Sequence, residues 1–491
     1  MSPRLFVFSR ALLAVGLMVG FYALALAIIS LLGFIGYEAV ATGRLGFGGL
    51  KILAFCGIGI VTIFFSVLPR REEFKQPGPL VEPSDFPDLF REIRDIAAKA
   101  GQAMPAEIYL LPDLNAFVSE RGGFLGFGRV RILGVGLPLL QTLTVNEVRA
   151  VLAHEFGHYH GGDTAVGPWI HKIRAAMART LEGLAEQSAI LRKPFEWYGI
   201  LFLRTTLAVS RYQEYAADQL AASVAGRLPM VSGLKKVHAF GPMSSAFWTH
   251  EVGPAINAGY RPRLAEGFQA FLATPRISAS LPKILEDVLK EESTSPYNSH
   301  PCLRDRLLAL GGADPAPGEA DDASGPALEL VRGHERLEPG LFGFMLGISP
   351  DKLEPLAWED SGEKIHRPRM ASFYEPFAAK LATLSFREYP DYFDQPGKVA
   401  GLLKDVDGLP DDPEDLKACI RELLEVHLVM SLCAQDGTIR SRPGHPLECV
   451  PASGTGFVMG DFPKAFAGKT MPTEQWEENC RAWKLFPAGP A

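Results

Sequence analysis

The sequence predicts a predominantly helical α+β chain with a small sheet, an N-terminal hairpin of two transmembrane helices and a separate C-terminal domain. Three observations predict this: two uncharged apolar runs near the N-terminus, a capped central helix with closely spaced histidines, and a Gly/Pro/acidic break before the last third. A chain of 491 residues is long enough for two or three domains. Its hydrophobic content of 47% is high for a soluble enzyme and indicates a membrane-embedded part.

The charge is uneven along the chain. The formal net charge is −7, and residues 327–491 hold 18 Lys and Arg against 26 Asp and Glu. An acidic C-terminal third argues against a nucleic-acid partner, which would need a basic surface. The six cysteines are scattered and form no C-x-x-C pair, which favours reduced thiols over a disulfide framework.

Residues 11–36 form the first apolar run and contain no charged residue. As a helix they span about 39 Å at 1.5 Å per residue, enough to cross a bilayer. The run exceeds the roughly 7–15 apolar residues of a signal peptide, so we expect an uncleaved transmembrane helix. Residues 52–69 form the second run, which ends at "RREEFK". We expect it to span as well; the alternative is a buried core helix.

Basic residues predict how this hairpin is oriented. Five of them flank its two outer ends: Arg4, Arg10, Arg70, Arg71 and Lys75. The short connection carries Arg44 and Lys51, so the asymmetry is small. By the positive-inside rule both ends are cytoplasmic, which predicts that the large domain faces the cytoplasm. A third apolar stretch, 195–209, contains Glu196 and Arg204 and is too short to span, so we expect it to be buried or interfacial.

Residues 144–162, "TVNEVRAVLAHEFGHYHGG", have the start and stop signals of one helix. Thr144 followed three residues later by Glu147 is a capping box, and the double glycine at 161–162 is a typical helix end. The helix predicted between these signals contains the His-Glu-x-x-His pattern.

His154 and His158 are one turn apart on this helix and therefore project from the same face. Two imidazoles placed in this way can bind one Zn²⁺. Glu155 lies beside that face, where its carboxylate can take a proton from a water molecule activated by the metal. The alternative is a surface helix whose polar residues happen to have helical spacing. On this motif alone the two interpretations stay open.

A second helical stretch, 208–223, offers a third ligand, because a catalytic zinc needs three protein ligands and one open position. Arg211, Glu214 and Asp218 share one face of it. Glu214 is the predicted ligand, and Asp218 and Arg211 are predicted to orient the ligands. The alternative is that these charged residues only form ion pairs on the solvent-exposed face of a helix. Asp163, just past the double glycine, is predicted to hold the helix end or orient a ligand.

These residues resemble the HtpX and CAAX-prenyl-protease family of zinc metallopeptidases, metallopeptidase family forty-eight. Four stretches carry the resemblance in the same order as in the family: 108–140, "AVLAHEFGHYHGGD" at 150–163, "SRYQEYAAD" at 210–218, and "SPYNSHPCLRDRLLAL" at 295–310. The similarity extends over about residues 85–312, under half of the chain. It implies a gluzincin-type catalytic domain that holds one zinc ion per chain.

The resemblance also implies roles for residues at matching positions. His154, His158 and Glu214 would be the zinc ligands and Glu155 the general base or acid. Asn115 would lie near the substrate backbone. His300 would stabilise the oxyanion, which is worth a few kcal/mol in a dry cleft; the alternative is a histidine that only begins a helix.

Residues 130–135, "VRILGV", read as a strand, and the resemblance implies that an extended substrate pairs with its edge. One segment departs from the family. Members often carry additional spans between the zinc helix and the Glu helix, whereas residues 165–194 are amphipathic here. This difference argues against an enclosed intramembrane chamber.

The sequence therefore predicts a membrane anchor at 1–71, a zinc metallopeptidase domain at 72–312, a linker at 313–326 and an accessory domain of unknown role at 327–491. The expected function is a membrane-anchored zinc endopeptidase that acts on polypeptides, by analogy in membrane-protein quality control. The expected partners are polypeptide substrates and the lipid bilayer. Two alternatives remain: a non-catalytic scaffold stapled by zinc, and an envelope-facing protease or chaperone of the same family.

Overall fold

The computed structural model describes residues 3–43, 46–68, 74–122, 129–160, 167–185, 188–290, 300–312, 324–467 and 471–486. The chain divides into two compact units, one made of residues 1–240 and 283–332 and the other of residues 241–282 and 333–491. This division differs from the domain boundary expected at 313–326. Residues 241–282 group with the C-terminal unit because their strand Tyr260–Pro262 pairs in parallel with Glu354–Leu356.

The first unit contains the predicted membrane hairpin, a sheet and the histidine-bearing helix. Its helices are α1 (Pro3–Ala41), α2 (Phe47–Val67), α3 (Pro87–Lys99), α4 (Leu137–Thr142), α5 (Val145–His160), α6 (Gly167–Ala185) and α7 (Ala189–Ala225). Helix α8 (Arg227–Phe247) runs across the unit boundary. Its strands are β1 (Leu80–Val81), β2 (Glu107–Leu111), β3 (Ala116–Arg121) and β4 (Val130–Gly136).

The second unit is mainly helical. Its helices are α9 (Gly253–Asn257), α10 (Leu264–Ala273), α11 (Pro275–Ser278), α14 (Glu338–Leu346), α15 (Arg367–Tyr374), α16 (Ala378–Leu381), α17 (Tyr389–Asp394), α18 (Gly397–Leu403), α19 (Pro413–Cys433), α20 (Asp461–Ala467) and α21 (Thr473–Ala482). Two helices lie between α11 and α14 in the sequence: α12 (Leu281–Leu289) begins at the unit boundary, and α13 (Leu303–Ala309) belongs to the first unit. Its strands are β5 (Tyr260–Pro262), β6 (Glu354–Leu356), β7 (Thr438–Arg440), β8 (Glu448–Val450) and β9 (Phe457–Val458). Aromatic side chains such as Trp476, Tyr389 and Phe393 fill its core around α19.

The sheet of the first unit has the strand order β1-β2-β4-β3. β4 pairs in parallel with β2 and antiparallel with β3. Both edges of β4 are therefore occupied, and the expectation that a substrate pairs with the edge of 130–135 is wrong. The strand is central because it is apolar and buried from Ile132 to Gly136. Within the described residues, β3 is the edge strand on this side of the sheet.

Helix α5 begins with the predicted capping box. The backbone N–H of Thr144 donates to Glu147 at 2.8 Å, and the N–H of Glu147 donates back to the Thr144 hydroxyl at 3.3 Å. The Glu147 carboxylate is 2% exposed and also accepts from Lys236 Nζ at 2.7 Å and from Ser232. One buried carboxylate thus caps α5 and ties α8 to its first turn.

Replacing Glu147 with alanine should destabilise the first unit by about 2 kcal/mol, since a cap is worth about 1 kcal/mol and Lys236 loses its buried partner. We expect a lower midpoint in thermal unfolding of the detergent-purified chain. Glu286→Ala, an exposed carboxylate on α12, is the matched control and should change the midpoint little. Equal midpoints for the two variants would show that the Glu147 contacts contribute nothing.

The end of the predicted linker also contacts the start of α5. Val145 N–H donates to Gly325 O at 3.0 Å, Asn146 N–H donates to the Ser324 hydroxyl at 3.1 Å, and Ala327 N–H donates to Leu143 O at 3.0 Å. The first two contacts satisfy backbone donors that a helix start leaves without partners. Residues 324–327 are therefore packed rather than extended, whereas 313–323 lie outside the described residues.

Two helices of the described chain are long and apolar enough to cross a membrane, at Leu12–Ala41 and Phe47–Val67. They pack with α6 and the first half of α7 around one apolar cluster that includes Phe21, Ile63 and Phe202. The stretch 195–209 is part of α7, and its inner side chains are buried against α1, as expected for a segment that does not span by itself.

Candidate metal centre

The site forms where α5 lies against α7. Gly157 allows this close approach, because a Cβ atom there would meet the Cα of Ala217 at 2.8 Å. A glycine inside a helix costs about 1 kcal/mol relative to alanine; here it brings the two backbones together. One turn of α5 with its histidines thereby faces the turn of α7 that carries Glu214.

His154, His158 and Glu214 each offer one ligand atom, and these three atoms lie within 4.8 Å of one another. Nε2 of His154 is 3.4 Å from Glu214 Oε2, and Nε2 of His158 is 3.7 Å from Glu214 Oε1. The predicted group of two imidazoles and one carboxylate therefore converges on one point. His154 and Glu214 are buried, and the side chain of His158 is 31% exposed.

Asp218 fixes the orientation of His154. Its Oδ1 is 2.9 Å from His154 Nδ1, so the Nδ1–H donates to the carboxylate. In the neutral ring, Nε2 is then an acceptor, and it faces a carboxylate oxygen, Glu214 Oε2, that is buried without a hydrogen-bond partner. Either a proton on Nε2 or a metal ion between the two atoms would satisfy this buried oxygen. The donor set of imidazole and carboxylate fits a zinc ion.

Arg306, on α13, is a site residue that the sequence analysis did not single out. It holds Asp218 with two hydrogen bonds, Nε to Oδ2 at 2.9 Å and Nη2 to Oδ1 at 2.6 Å, and its Nη2 lies 3.6 Å from Glu214 Oε2. A planar guanidinium matches a carboxylate in this bidentate way. Its position inside the quoted "SPYNSHPCLRDRLLAL" stretch was the available signal.

The electrostatics keep the carboxylates of the ligand group charged. Burial raises the pKa of Glu214, but hydrogen bonds from His154 and His300 outweigh it and hold that pKa well below its ordinary value. Burial also opposes ionisation of Asp218, yet the hydrogen bonds from Arg306 and His154 lower its pKa. Both acids are therefore anionic at neutral pH, as cation binding requires.

The two histidines differ in their pKa values. Burial lowers the pKa of His154, but its hydrogen bonds to Asp218 and Glu214 outweigh that effect and raise the pKa to about 9. Burial lowers the pKa of His158 to about 4, and the nearby His154 lowers it further. His158 is thus neutral and available as a ligand, while His154 holds a proton that a bound cation would displace.

Glu155 has the environment of a proton carrier. Burial raises its pKa to about 7, while the charge of His154 acts in the opposite direction and that of Glu214 adds to the increase. A carboxyl group that titrates near neutral pH can both accept and release a proton under working conditions. This places a group with suitable acidity next to the ligand cluster.

His300 also reaches the cluster. Its Nδ1 lies 2.8 Å from Glu214 Oε1, and its side chain is 65% exposed. An exposed imidazole that contacts a buried ligand lies at the open side of the site. The geometry brings His300 to the place where the sequence motif predicted it, and its role in stabilising an oxyanion stays a prediction.

Of the three other predicted residues, two lie in the described chain and one lies outside it. Asn115 immediately precedes β3 and is exposed, and its carbonyl accepts the Gly136 N–H at 2.8 Å. Arg211 lines a surface cavity on α7, and the contacts to Asp218 described above come from Arg306 instead. The roles of Asn115 and Arg211 stay predictions. Asp163 lies outside the described residues.

Known proteins resemble the region that holds this site. The model of peptidase family M48 matches residues 83–313. The protease HtpX of Idiomarina loihiensis is 29% identical over 218 residues, covering 39% of this chain and 72% of the relative. The protease HtpX of Cellvibrio japonicus is 29% identical over 240 residues, covering 43% of this chain and 78% of the relative.

The crystal structure of S. mikatae Ste24p aligns with 60% of this chain and 64% of the Ste24p chain, with 15% sequence identity and a TM-score of 0.25. This similarity is too low to establish a common fold over the aligned length. The matches to the family model and to the HtpX proteases coincide with the segment that carries the histidine and carboxylate cluster. Residues 83–313 of this chain are thus similar to peptidase family M48 and to the HtpX proteases, and two helices of the described chain are long and apolar enough to cross a membrane.

Proposed function

We propose that this chain is a zinc endopeptidase with a gluzincin-type catalytic domain, and that His154, His158 and Glu214 hold one zinc ion per chain. The observation that carries the proposal is the convergence of these three side chains, whose ligand atoms lie within 4.8 Å of one another. Three protein ligands leave a fourth position for water or substrate, which is typical of catalytic rather than structural zinc. A bound zinc ion supplies Lewis acidity, lowering the pKa of water and polarising the scissile carbonyl.

Side chains of this chain would carry out proton transfer, stabilise the developing negative charge and orient the ligands. Glu155 takes a proton from the attacking water and delivers it to the leaving amide nitrogen, which its pKa of about 7 suits. His300, at the open side of the site, donates an N–H to the oxygen that becomes negative. Asp218 and Arg306 keep the His154 ring in the orientation that presents Nε2.

We further propose that substrate backbone pairs with β3, the edge strand, rather than with the central β4. β3 has one paired neighbour among the described residues, so its outer N–H and C=O groups are available to an extended peptide. Asn115, immediately before this strand, would contact the substrate backbone where the peptide enters. A substrate that pairs with a strand edge is recognised through its main chain rather than its side chains, which suits a protease with varied polypeptide substrates.

By analogy with the HtpX proteases, the substrates we propose are misfolded or damaged membrane proteins. The proposed location is the bacterial inner membrane with the catalytic unit in the cytoplasm, supported by the basic residues Arg70, Arg71 and Lys75 after α2. The proposed role of residues 327–491 is that of an accessory domain, of which residues 327–332 group with the catalytic unit.

Chelation tests the catalytic role of the metal. We expect a zinc chelator to abolish casein hydrolysis by the purified chain, with the far-UV circular dichroism spectrum and the melting profile largely kept, and added Zn²⁺ to restore activity. The ligands lie on α5 and α7, and these helices also contact each other directly, at Gly157 and Ala217. Unfolding of the catalytic unit on chelation would instead favour the alternative, a non-catalytic scaffold in which zinc only stabilises the fold.

Asp218→Asn should weaken zinc binding by about 10- to 100-fold, the usual effect of losing a hydrogen-bond partner of a ligand histidine. The amide keeps the volume but removes the charge that holds His154 Nδ1–H and Arg306. Competition between the protein and a fluorescent zinc chelator measures the change. Asp305→Asn, a carboxylate in the first turn of α13, is the matched control and should bind zinc as the parent does. Unaltered affinity in Asp218→Asn would remove Asp218 from the metal centre.

A further inference from the structure

We propose that the outward face of α7 between Trp197 and Arg204 binds an anionic phospholipid of the bilayer that α1 and α2 cross. The acyl chain would lie on Trp197, Ile200 and Leu201, and the phosphate would meet the guanidinium of Arg204. The protein would thus contact lipid through a helix that does not span the membrane and that also carries the ligand Glu214.

The inner face of α7 packs directly on the first membrane helix. The Phe195 ring lies 6.2 Å from the Phe21 ring, and the Tyr198 hydroxyl donates to Leu17 O at 2.6 Å. Gly20 leaves the space for that hydroxyl, because a Cβ atom there would overlap the Tyr198 oxygen. Since 195 lies beside 21 and 198 beside 17, α7 runs antiparallel to α1 along its apolar stretch.

This register fixes the depth of the outward face. Tyr198 is level with Leu17, so Arg204, six residues or about 9 Å further along α7, is level with about residue 11 of α1. The apolar run of α1 begins there, immediately after Arg10. Arg204 is therefore at the depth where hydrocarbon gives way to headgroups. Trp197 and Leu201 lie deeper, at the level of α1 residues such as Val15, which is 41% exposed.

The outward face of α7 has an apolar part and a basic end, as a binding site for an amphiphilic molecule requires. Trp197 is 71%, Leu201 52% and Ile200 44% exposed, an unusual state for large apolar residues. Their spacing puts them on one side of the helix with Arg204, and together they line a surface cavity of about 480 Å³. The surface is apolar toward the bilayer interior and basic at its border, as in lipid-binding interfacial helices.

Arg204 is exposed, and within the described residues no carboxylate forms an ion pair with it. The other arginine on this part of the helix differs, because Arg192 pairs with Glu196 at 2.7 Å. A phosphate accepts charge-assisted hydrogen bonds from a guanidinium, and Arg204 has the long stem needed to reach the headgroup layer. A bound anionic lipid would thus account for both the exposed apolar residues and a cation that no carboxylate of the described residues pairs with.

Lipid titration of the delipidated full chain, followed by native mass spectrometry, tests the proposal. We expect phosphatidylglycerol to bind more tightly than phosphatidylcholine, and Arg204→Gln to weaken phosphatidylglycerol at least about fivefold while leaving phosphatidylcholine unchanged. Lys283→Gln, an exposed cation on α12 and outside the apolar stretches, is the control and should bind as the parent does. Inorganic phosphate at the same concentration should not displace the lipid, since it lacks an acyl chain.

Equal weakening of phosphatidylglycerol binding by Arg204→Gln and Lys283→Gln would overturn the proposal, since that result would mean general attraction of the lipid to basic residues. A second measurement does not depend on these variants. A photoreactive residue at Ile200 should capture phospholipid in membranes, whereas the same residue at Ser223, at the far end of α7, should not. Capture of a polypeptide or of a second copy of the chain at Ile200, in place of lipid, would also overturn it.

Discussion

Glu155→Gln should reduce casein hydrolysis by at least about 10²- to 10⁴-fold and leave one zinc ion per chain in place. The amide keeps the size of the side chain but cannot accept the proton of the attacking water. His154, His158 and Glu214 are untouched, so we expect unchanged metal content. The rate of casein cleavage and the zinc content by mass spectrometry are the two measurements.

Glu182→Gln on α6 is the control for this experiment, since it removes a carboxylate far along the chain from the ligand cluster. It should keep full activity. If Glu155→Gln digested casein as fast as the parent chain, Glu155 would not be the proton carrier, and the proposed division of roles in the site would be wrong.

Glu214→Ala should lose both zinc and activity. It removes the one anionic ligand, and two imidazoles alone hold zinc far more weakly than a three-ligand site. The zinc content of the purified variant should fall from one per chain to near zero, and casein hydrolysis should fall below detection. Arg306 keeps its bidentate contact with Asp218 in this variant, so we expect the catalytic unit to remain folded.

Gln213→Ala, the neighbouring position on α7, is the control and should keep the zinc and the activity of the parent. Retention of one tightly bound zinc ion by Glu214→Ala would mean that another group completes the site. The comparison separates this outcome from general damage to α7, because both variants shorten a side chain on the same turn.

Features that depend on neighbouring residues could be predicted from the sequence. The start of α5 follows from Thr144 and Glu147, which cap the helix through contacts only three residues apart. The shared face of His154 and His158 follows from helical geometry alone. Glu214 was predicted by its spacing and the family resemblance, and the structure brings it within ligand distance of both histidines.

Features that depend on distant residues could not be predicted in the same way. Asp218 receives two hydrogen bonds from Arg306, 88 positions later in the chain, a contact that local spacing does not indicate. β4 is central because β2 and β3 both pair with it, and a strand pattern does not reveal its neighbours. Residues 241–282 join the C-terminal unit through the short strand pair β5–β6, which has no clear sequence signal.

The most direct test of the metal centre is X-ray absorption at the zinc edge of the purified, active chain. The proposal predicts one zinc ion per chain with only nitrogen and oxygen neighbours at about 2.0–2.2 Å, and with the scattering signature of two imidazole rings. That signature should fall to one ring in a His158→Ala sample. Sulfur neighbours at about 2.3 Å, or a spectrum that the loss of His158 leaves unchanged, would contradict it.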